Sequence, residues 1–96
     1  MKPSFALQLH REKIREIVLR HRAQNARVFG SVVLGEDKEG SDLDILVDPT
    51  FATTLMDVAA IQVELEATLG VPVDVLTPQA LPDSFRSVVL GQVVAV

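Results

Sequence analysis

Residues 30–47 read Gly30-Ser31-Val32-Val33-Leu34-Gly35-Glu36-Asp37-Lys38-Glu39-Gly40-Ser41-Asp42-Leu43-Asp44-Ile45-Leu46-Val47, and this stretch decides the predicted fold. It joins a Gly-Ser turn to a polar loop, and the loop leads into two aspartates that open an apolar run. The run Leu43–Val47, bounded by Ser41 and Pro49, predicts a short buried strand. Because strand side chains alternate between faces, Asp42 and Asp44 are expected to lie side by side on one face.

The two carboxylates indicate a site that binds a cation. Like charges held close together raise the cost of ionising both groups, and a divalent cation offsets that cost. Mg²⁺ prefers one or two carboxylates together with phosphate oxygens from a substrate. Solvent could compensate the pair as well, so the pair is a candidate site for Mg²⁺ and a phosphate-bearing substrate. Each aspartate taken alone is typical of a strand end or a turn.

The Gly30-Ser31 turn is a candidate phosphate-binding element. Arg27–Phe29 predicts a strand that ends at Gly30, and Ser31–Leu34 predicts a short helix or turn before Gly35. Backbone N–H groups at a helix start attract phosphate, and a glycine lets a ligand approach the backbone closely. Ser31 adds a hydroxyl donor and can cap the helix. A phosphate-binding turn followed by two metal-binding carboxylates is a layout suited to nucleotide phosphoryl chemistry.

Gly30-Ser31, ten residues and then Asp42-Leu43-Asp44 resemble the signature of the DNA polymerase β nucleotidyltransferase superfamily. The positions of Gly35, Ser41 and Val47 are similar to those of the minimal nucleotidyltransferases, the antitoxins that pair with HEPN toxins. The resemblance covers almost the whole chain. It implies an α/β (α+β) fold in which a small mixed β-sheet of three to four strands is flanked by helices.

The resemblance also implies the residues of the site. The family carries a third carboxylate on a later strand, and Val71–Pro78 matches that strand with Asp74 in the corresponding position. Asp42, Asp44 and Asp74 would then be the catalytic residues and the ligands of two Mg²⁺ ions. The implied nucleotide-binding residues are Gly30, Ser31 and Ser41.

The activity implied by the resemblance is transfer of AMP from ATP to a hydroxyl group, such as that of tyrosine, on a partner HEPN toxin. One stretch departs from the family pattern, because Val32-Val33-Leu34 stands where members often have x-Ala-Arg between the Gly-Ser and the next glycine. If that Arg helps to hold the triphosphate, a second hypothesis stays open. In it, a catalytically weakened antitoxin neutralises its partner by stoichiometric binding. A domain that modifies a small molecule is a third.

Two other metal- and phosphate-binding loops are excluded by their spacing. An EF-hand loop starting at Asp37 would need glycine at its sixth position and a bidentate Glu at its twelfth, and neither is present. A Walker loop would need Gly-Lys followed by Ser or Thr after Gly30, which is also absent. The glutamates and aspartate of the loop, Glu36, Asp37 and Glu39, are predicted to be solvated.

Composition predicts a single domain over residues 1–96. Hydrophobic residues make up 48% and charged residues 23%, which is typical of a globular chain. The absence of cysteine excludes disulfides and thiolate zinc sites. No apolar run approaches the roughly 20 residues of a membrane span, and the start of the sequence lacks the apolar core of a signal peptide. A cytoplasmic protein without membrane contact is expected.

The net charge of −4 is distributed unevenly along the chain. Residues 1–27 contain seven of the nine Lys and Arg with only two Glu, so this basic segment carries +5 and the remainder −9. The acidic remainder argues against direct binding of nucleic acid. The basic segment is either a solvated helix face or a surface for an acidic partner or a nucleotide. Both a homodimer and a hetero-oligomer are compatible with this pattern.

Apolar periodicity predicts a first helix that ends at Gln24-Asn25, with His10 and His21 as structural side chains. A second helix is expected over residues 54–69, capped by Thr54 and Asp57 and ended by Gly70. Val73–Leu76 predicts a third strand. Asp83 or Ser84 would cap a short helix reaching about Leu90. Val93–Val96 is expected to form an edge strand, a docked tail or a contact surface.

Overall fold

The computed structural model describes residues 1–96. Its helices are α1 (Pro3–Arg20), α2 (Ser31–Leu34), α3 (Leu55–Leu69) and α4 (Asp83–Gln92), and its strands are β1 (Ala23–Phe29), β2 (Leu43–Pro49), β3 (Val73–Leu76) and β4 (Val94–Ala95). A 3-10 turn, Pro78–Ala80, leads from β3 towards α4. No helix combines the length and the hydropathy that a membrane span requires.

The four strands form one mixed sheet in the order β3-β2-β1-β4. β1 runs antiparallel to both β2 and β4, whereas β3 runs parallel to β2. A parallel pair needs a crossover connection, and α3 supplies it. The predicted α/β fold, with a small mixed sheet flanked by helices, is confirmed.

Helices α1 and α3 cover one face of the sheet. Leu43, Ile45 and Val47 of β2 point into the core on that face, and Val73 and Val75 of β3 join them. Burial of these aliphatic side chains drives the packing, at roughly 25 cal/mol for each Å² removed from water. Because strand residues alternate, the intervening residues of β2 and β3 lie on the opposite face. That second face is where the predicted site residues are found.

Helix α3 also closes the outer edge of β3. The Gln62 side-chain oxygen accepts the N–H of Val75 at 3.2 Å, and the Glu66 carboxylate accepts the N–H of Val73 at 3.1 Å. Unpaired N–H groups of an edge strand otherwise invite pairing with another chain. The outer edge of β3 is therefore already satisfied from within the molecule.

The first helix is shorter than predicted. It ends at Arg20, and the chain turns at Arg22, which has a left-handed φ of 65°. Asn25, expected at the helix end, has φ 56° and lies instead where the register of β1 against β2 shifts. Asn25, which tolerates the left-handed region, therefore allows the irregularity in β1 at which the register shifts. Within α1 the geometry breaks at His10, where the apolar stripe of the sequence has its gap.

The end of the chain contains one wrong prediction and one confirmed one. Neither Asp83 nor Ser84 caps α4: Pro82 holds the cap position without a side-chain hydrogen bond, and Asp83 pairs with Arg86 inside the helix. The last residues form the predicted edge strand, β4. The N–H of Val96 donates to the carbonyl of Ala26 at 3.0 Å, and the Val96 side chain is buried. Edge strand and docked tail are therefore both realised.

Most arginines of the basic segment, residues 1–27, pair within the molecule. The ion pairs are Arg15–Glu12, Arg20–Glu64, His21–Glu64, Arg22–Asp57 and Arg27–Asp48. His21 is a half-buried structural side chain, as predicted. The hydrogen bond from His21 and the neighbouring Arg20 lower the pKa of Glu64. Because these charges are neutralised internally, the basic segment offers less free positive surface than its composition suggests.

Candidate active site

The Gly30-Ser31 turn lies where β1 ends. Gly30 has φ 77° and ψ −149°, a combination that is essentially restricted to glycine. Its carbonyl accepts the N–H groups of Val33 at 3.1 Å and Leu34 at 3.2 Å, which starts α2 as predicted. Ser31 is half-buried at the first position of this one-turn helix. Glycine is needed here because the backbone changes direction in a conformation that a side chain would strain.

Asp44 and Asp74 are direct neighbours across the parallel strands β2 and β3. Adjacent strands lie about 4.8 Å apart, so the two carboxylates project from the same face at close range. Asp42 precedes β2 by one residue and lies on the same face by alternation. The structure therefore brings together the three carboxylates that the sequence proposed.

The electrostatic consequence is concentrated on Asp44. Partial burial, followed by the negative charges of Asp74 and Asp42, raises the pKa of Asp44 from 3.8 to about 6. Desolvation disfavours the charged carboxylate, and nearby like charges disfavour it further. A perturbed carboxylate in a cluster of like charge is a mark of a functional site.

The three proposed site carboxylates differ from the other four aspartates in having no partner. Asp37, Asp48, Asp57 and Asp83 each accept hydrogen bonds from the backbone or from a basic or amide side chain. The carboxylates of Asp42, Asp44 and Asp74 form no ion pair and no hydrogen bond with another side chain or with the backbone. Their negative charge is uncompensated within the chain, so the site is electrostatically prepared for a cation.

Gly30 and Asp44 are packed against each other. A methyl group built on Gly30 would meet Asp44 Cγ at 3.2 Å and would overlap its Oδ2. β1 and β2 produce this approach, because Phe29 pairs with Asp44 in the antiparallel register. The Gly-Ser turn and the carboxylate site are thus one continuous structure, and a side chain at position 30 would fill the space beside the carboxylate.

The loop between α2 and β2 is tied to the start of α1, which the sequence prediction missed. Asp37 Oδ2 accepts the N–H of Ser4 at 2.9 Å, and Glu39 pairs with the amino group of Met1. The Ser4 bond lowers the pKa of Asp37. The prediction that these loop charges are solvated is wrong for Asp37, whereas Glu39 stays largely exposed while it pairs with the amino group. A signal was present: α1 begins after Lys2 with no capping side chain of its own, so an acceptor had to come from elsewhere.

Ser41 closes the same loop just before Asp42. Its Oγ accepts the N–H of Lys38 at 2.9 Å, and its own N–H donates to the Lys38 carbonyl at 3.0 Å. The serine therefore has a structural role in shaping the turn that delivers Asp42 to the sheet. Its contribution to nucleotide binding stays a prediction.

Comparison with known proteins assigns the chain to a family. Residues 11–96 match the model of the nucleotidyltransferase domain. The chain belongs to this nucleotidyltransferase family. It is similar to the protein adenylyltransferase MntA of Thermococcus cleftensis, with 39% identity over 90 residues that cover 94% of this chain and 88% of the relative. The family resemblance found in the sequence, and its implication of a nucleotidyltransferase enzyme, are confirmed.

Two solved structures have folds similar to that of this chain. A protein described as a candidate minimal nucleotidyltransferase superposes with a TM-score of 0.86 at 39% identity, covering 97% of this chain and 95% of the other. An MNT antitoxin in complex with a tri-AMPylated HEPN toxin from Shewanella oneidensis gives a TM-score of 0.68 at 20% identity, covering 92% and 69%. At that identity the second likeness shows the fold alone.

The donor set of the candidate site fits Mg²⁺. All three candidate ligands are carboxylates, and hard cations prefer oxygen ligands. No three Asp, Glu or His side chains form a preformed metal-binding cluster. Mg²⁺ commonly takes one or two carboxylates and completes its shell with water and substrate phosphates. The unpaired trio suits this mode of binding, in which the nucleotide helps to hold the ion.

Proposed function

We propose that this nucleotidyltransferase transfers AMP from ATP to a hydroxyl group of a partner HEPN toxin, and so acts as an antitoxin. The observation that carries the proposal is the trio of unpaired carboxylates beside the Gly30 turn. The naming of the MntA relative as a protein adenylyltransferase supports the donor and the class of acceptor. The AMP-modified HEPN toxin bound to a structurally similar antitoxin supports the partner.

In the proposed site, Asp42 and Asp44 would hold the Mg²⁺ that accompanies the nucleotide, and Asp74 would share a second ion with them. Bound Mg²⁺ neutralises phosphate charge and stabilises both the attacking and the leaving oxygen. Gly30 and Ser31 would bind the β- and γ-phosphates. A side chain at position 30 would overlap the Asp44 carboxylate, so only glycine lets the turn lie this close to the proposed site.

The proposed reaction is an in-line substitution at the α-phosphorus of ATP. The acceptor oxygen bonds to that phosphorus as the bond to the oxygen bridging the α- and β-phosphates breaks, and pyrophosphate leaves. The hydroxyl proton passes to a carboxylate, and we assign this to Asp74, the most exposed strand carboxylate of the site. The products are the AMP-modified hydroxyl, pyrophosphate and one proton.

One observation favours a second candidate, a binding antitoxin without turnover. Val32 and Val33 of the Gly-Ser turn pack against the core, and Leu34 is exposed, so no basic side chain of this turn is available to the triphosphate. Such a protein would keep the fold and silence one partner molecule per chain. An enzyme would silence many.

The experiment that separates these functions is intact mass analysis of the co-expressed HEPN partner after incubation with catalytic amounts of this chain, ATP and Mg²⁺. We expect mass gains in steps of one AMP, and loss of these gains in Asp44→Asn and Asp74→Asn. Asp48→Asn is the matched control, because Asp48 lies on the same strand and face but is paired with Arg27. The rate at which Asp48→Asn modifies the partner should stay close to that of the unsubstituted chain.

A second readout does not depend on activity. Calorimetric titration with Mg²⁺ and a non-hydrolysable ATP analogue should show binding that Asp44→Asn weakens and Asp48→Asn preserves. A stable complex with the partner, without any mass gain at equimolar enzyme, would overturn the catalytic proposal and leave the binding antitoxin.

A further inference from the structure

The outward face of α3 carries no free polar side chain. Asp57 pairs with Arg22, and Glu64 with Arg20 and His21. Gln62 and Glu66 turn to the edge of β3. What remains on the outer arc is entirely apolar: Leu55, Met56, Ala59, Ala60, Val63 and Ala67. We call these six residues the α3 face. A contiguous apolar patch on a protein surface commonly marks an interaction site.

The α3 face is open to solvent in the isolated chain. Leu55 is 86% exposed, Met56 78% and Val63 66%. Phe51, in the loop that leads to α3, is fully exposed. Together with the alanines these side chains expose roughly 600 Å² of apolar surface, the upper end of the largest patches on monomeric proteins. Two such faces would bury roughly 1,200 Å², the lower end of specific protein interfaces.

We propose that the α3 face binds a second copy of this chain, with the two α3 helices antiparallel about a two-fold axis. Side-chain size supports this occupant. In an antiparallel pair centred at the level of Ile61, Leu55 lies at the level of Ala67 of the copy, and Ala59 lies at the level of Val63. Each large side chain thus meets a small one, which lets the helices approach closely and makes the face complementary to itself.

Charge supports the same occupant. Two chains of net charge −4 repel each other, so they associate most favourably through a surface without unpaired charge. The α3 face is such a surface, because its neighbouring carboxylates are already bonded within the chain. A nucleic acid or an anionic membrane would instead require a basic surface.

The proposed dimer leaves both candidate active sites accessible. α3 packs on the sheet face formed by Ile45 and Val75, whereas Asp44 and Asp74 project from the opposite face. The outer surface of α3 therefore points away from the carboxylates. The dimer is independent of the proposed function, since neither the AMP transfer nor its partner enters the argument.

The test is the mass of the full chain in solution, measured by sedimentation equilibrium from about 1 to about 100 µM, a range that brackets micromolar affinity. The chain of 10.4 kDa should sediment with twice that mass at the upper concentrations. Val63→Glu should weaken the dimer by at least about tenfold, because it buries an unpaired carboxylate. Val88→Glu on α4, at a similarly exposed valine, should leave the dimer intact.

The register is tested by mixing two variants. Ala59→Lys alone and Val63→Glu alone should each be monomeric, and an equimolar mixture should regain a dimer because position 59 faces position 63 of the copy. Far-UV circular dichroism should show all variants folded, since the substituted residues are exposed. A chain that stays monomeric at the highest concentration overturns the proposal, as does a dimer that Val63→Glu leaves unchanged. If the mixture of the two variants does not form a dimer, the antiparallel register is wrong.

Discussion

Gly30→Ala should destabilise the protein through two effects, its backbone conformation and its contact with the Asp44 carboxylate. The backbone at Gly30 lies in a region that costs a residue with a side chain about 1–3 kcal/mol. The added methyl group would also overlap Asp44 Oδ2 and meet Cγ at 3.2 Å, and forcing such overlap costs about 1–3 kcal/mol more. The two costs together predict a loss of about 2–6 kcal/mol, against the about 5–15 kcal/mol by which ordinary domains are stable.

Two controls separate backbone strain from the contact. Gly35→Ala also has a positive φ, 72°, but a methyl group there would meet nothing within 4 Å. It should cost only about 1–2 kcal/mol. In an Asp44→Ala background, where the carboxylate is gone, the penalty of Gly30→Ala should fall by about 1–3 kcal/mol, the coupling typical of residues in contact.

The assay is urea unfolding of the four variants and the unmodified chain, followed by circular dichroism. With a denaturant slope of about 2 kcal/mol per M, Gly30→Ala should lower the midpoint by about 1–3 M. Equal penalties for Gly30→Ala and Gly35→Ala, or the same Gly30→Ala penalty with and without Asp44, would refute the close packing of the turn on the carboxylate.

Three further outcomes follow from charge and burial. The pKa of Asp44 is raised from 3.8 to about 6, so its contribution to stability is present below pH 3.8 and is lost as pH rises through 6. The free energy of unfolding should therefore fall by on the order of 1 kcal/mol over that window. Asp44→Asn should remove this fall in thermal unfolding measured from pH 4 to 7. The pKa of Asp57 is lowered from 3.8 to about 2, chiefly by its hydrogen bond from Arg22, so its contribution is present above pH 3.8 and lost as pH falls towards 2; Asp57→Asn should flatten the acid limb of the melting temperature, and an unchanged limb would contradict the pairing. Leu65→Ala at a fully buried position should cost about 2–5 kcal/mol in urea unfolding, whereas Leu19→Ala at an exposed one should stay within about 0.5 kcal/mol.

The sequence allowed the sheet and its carboxylates to be predicted because both follow from short-range pattern. Alternation along Leu43–Val47 placed Asp44 on the strand face opposite the buried aliphatic residues. The spacing from Gly30 to Asp42 identified the family. Asp74 could be matched because the resemblance implies a third carboxylate on a later strand and Val71–Pro78 fits that strand. Thr54 and Asp57 were predictable for a similar reason, since a capping box lies within one turn of chain.

Long-range contacts account for what the sequence did not reveal. Asn25 was placed at a helix end from its local preference, but pairing of β1 with β2 puts it at a register shift. Asp37 looked like a solvated charge because its partner, Ser4, is distant in sequence. The α3 face could not be predicted because Glu64 and Glu66 beside it are typical of an ordinary polar surface. The structure shows that Glu64 pairs with Arg20 and that Glu66 accepts the N–H of Val73.

The hydrogen bond from the Ser4 N–H to Asp37 joins two segments 33 residues apart in the chain. The first turn of α1 therefore cannot retain that bond when the loop before Asp42 opens. Local opening events of the loop and fraying of the helix start become a single event in the native ensemble. Hydrogen exchange at the Ser4 amide, on the N-terminal helix, thus reports how often the loop before Asp42 opens.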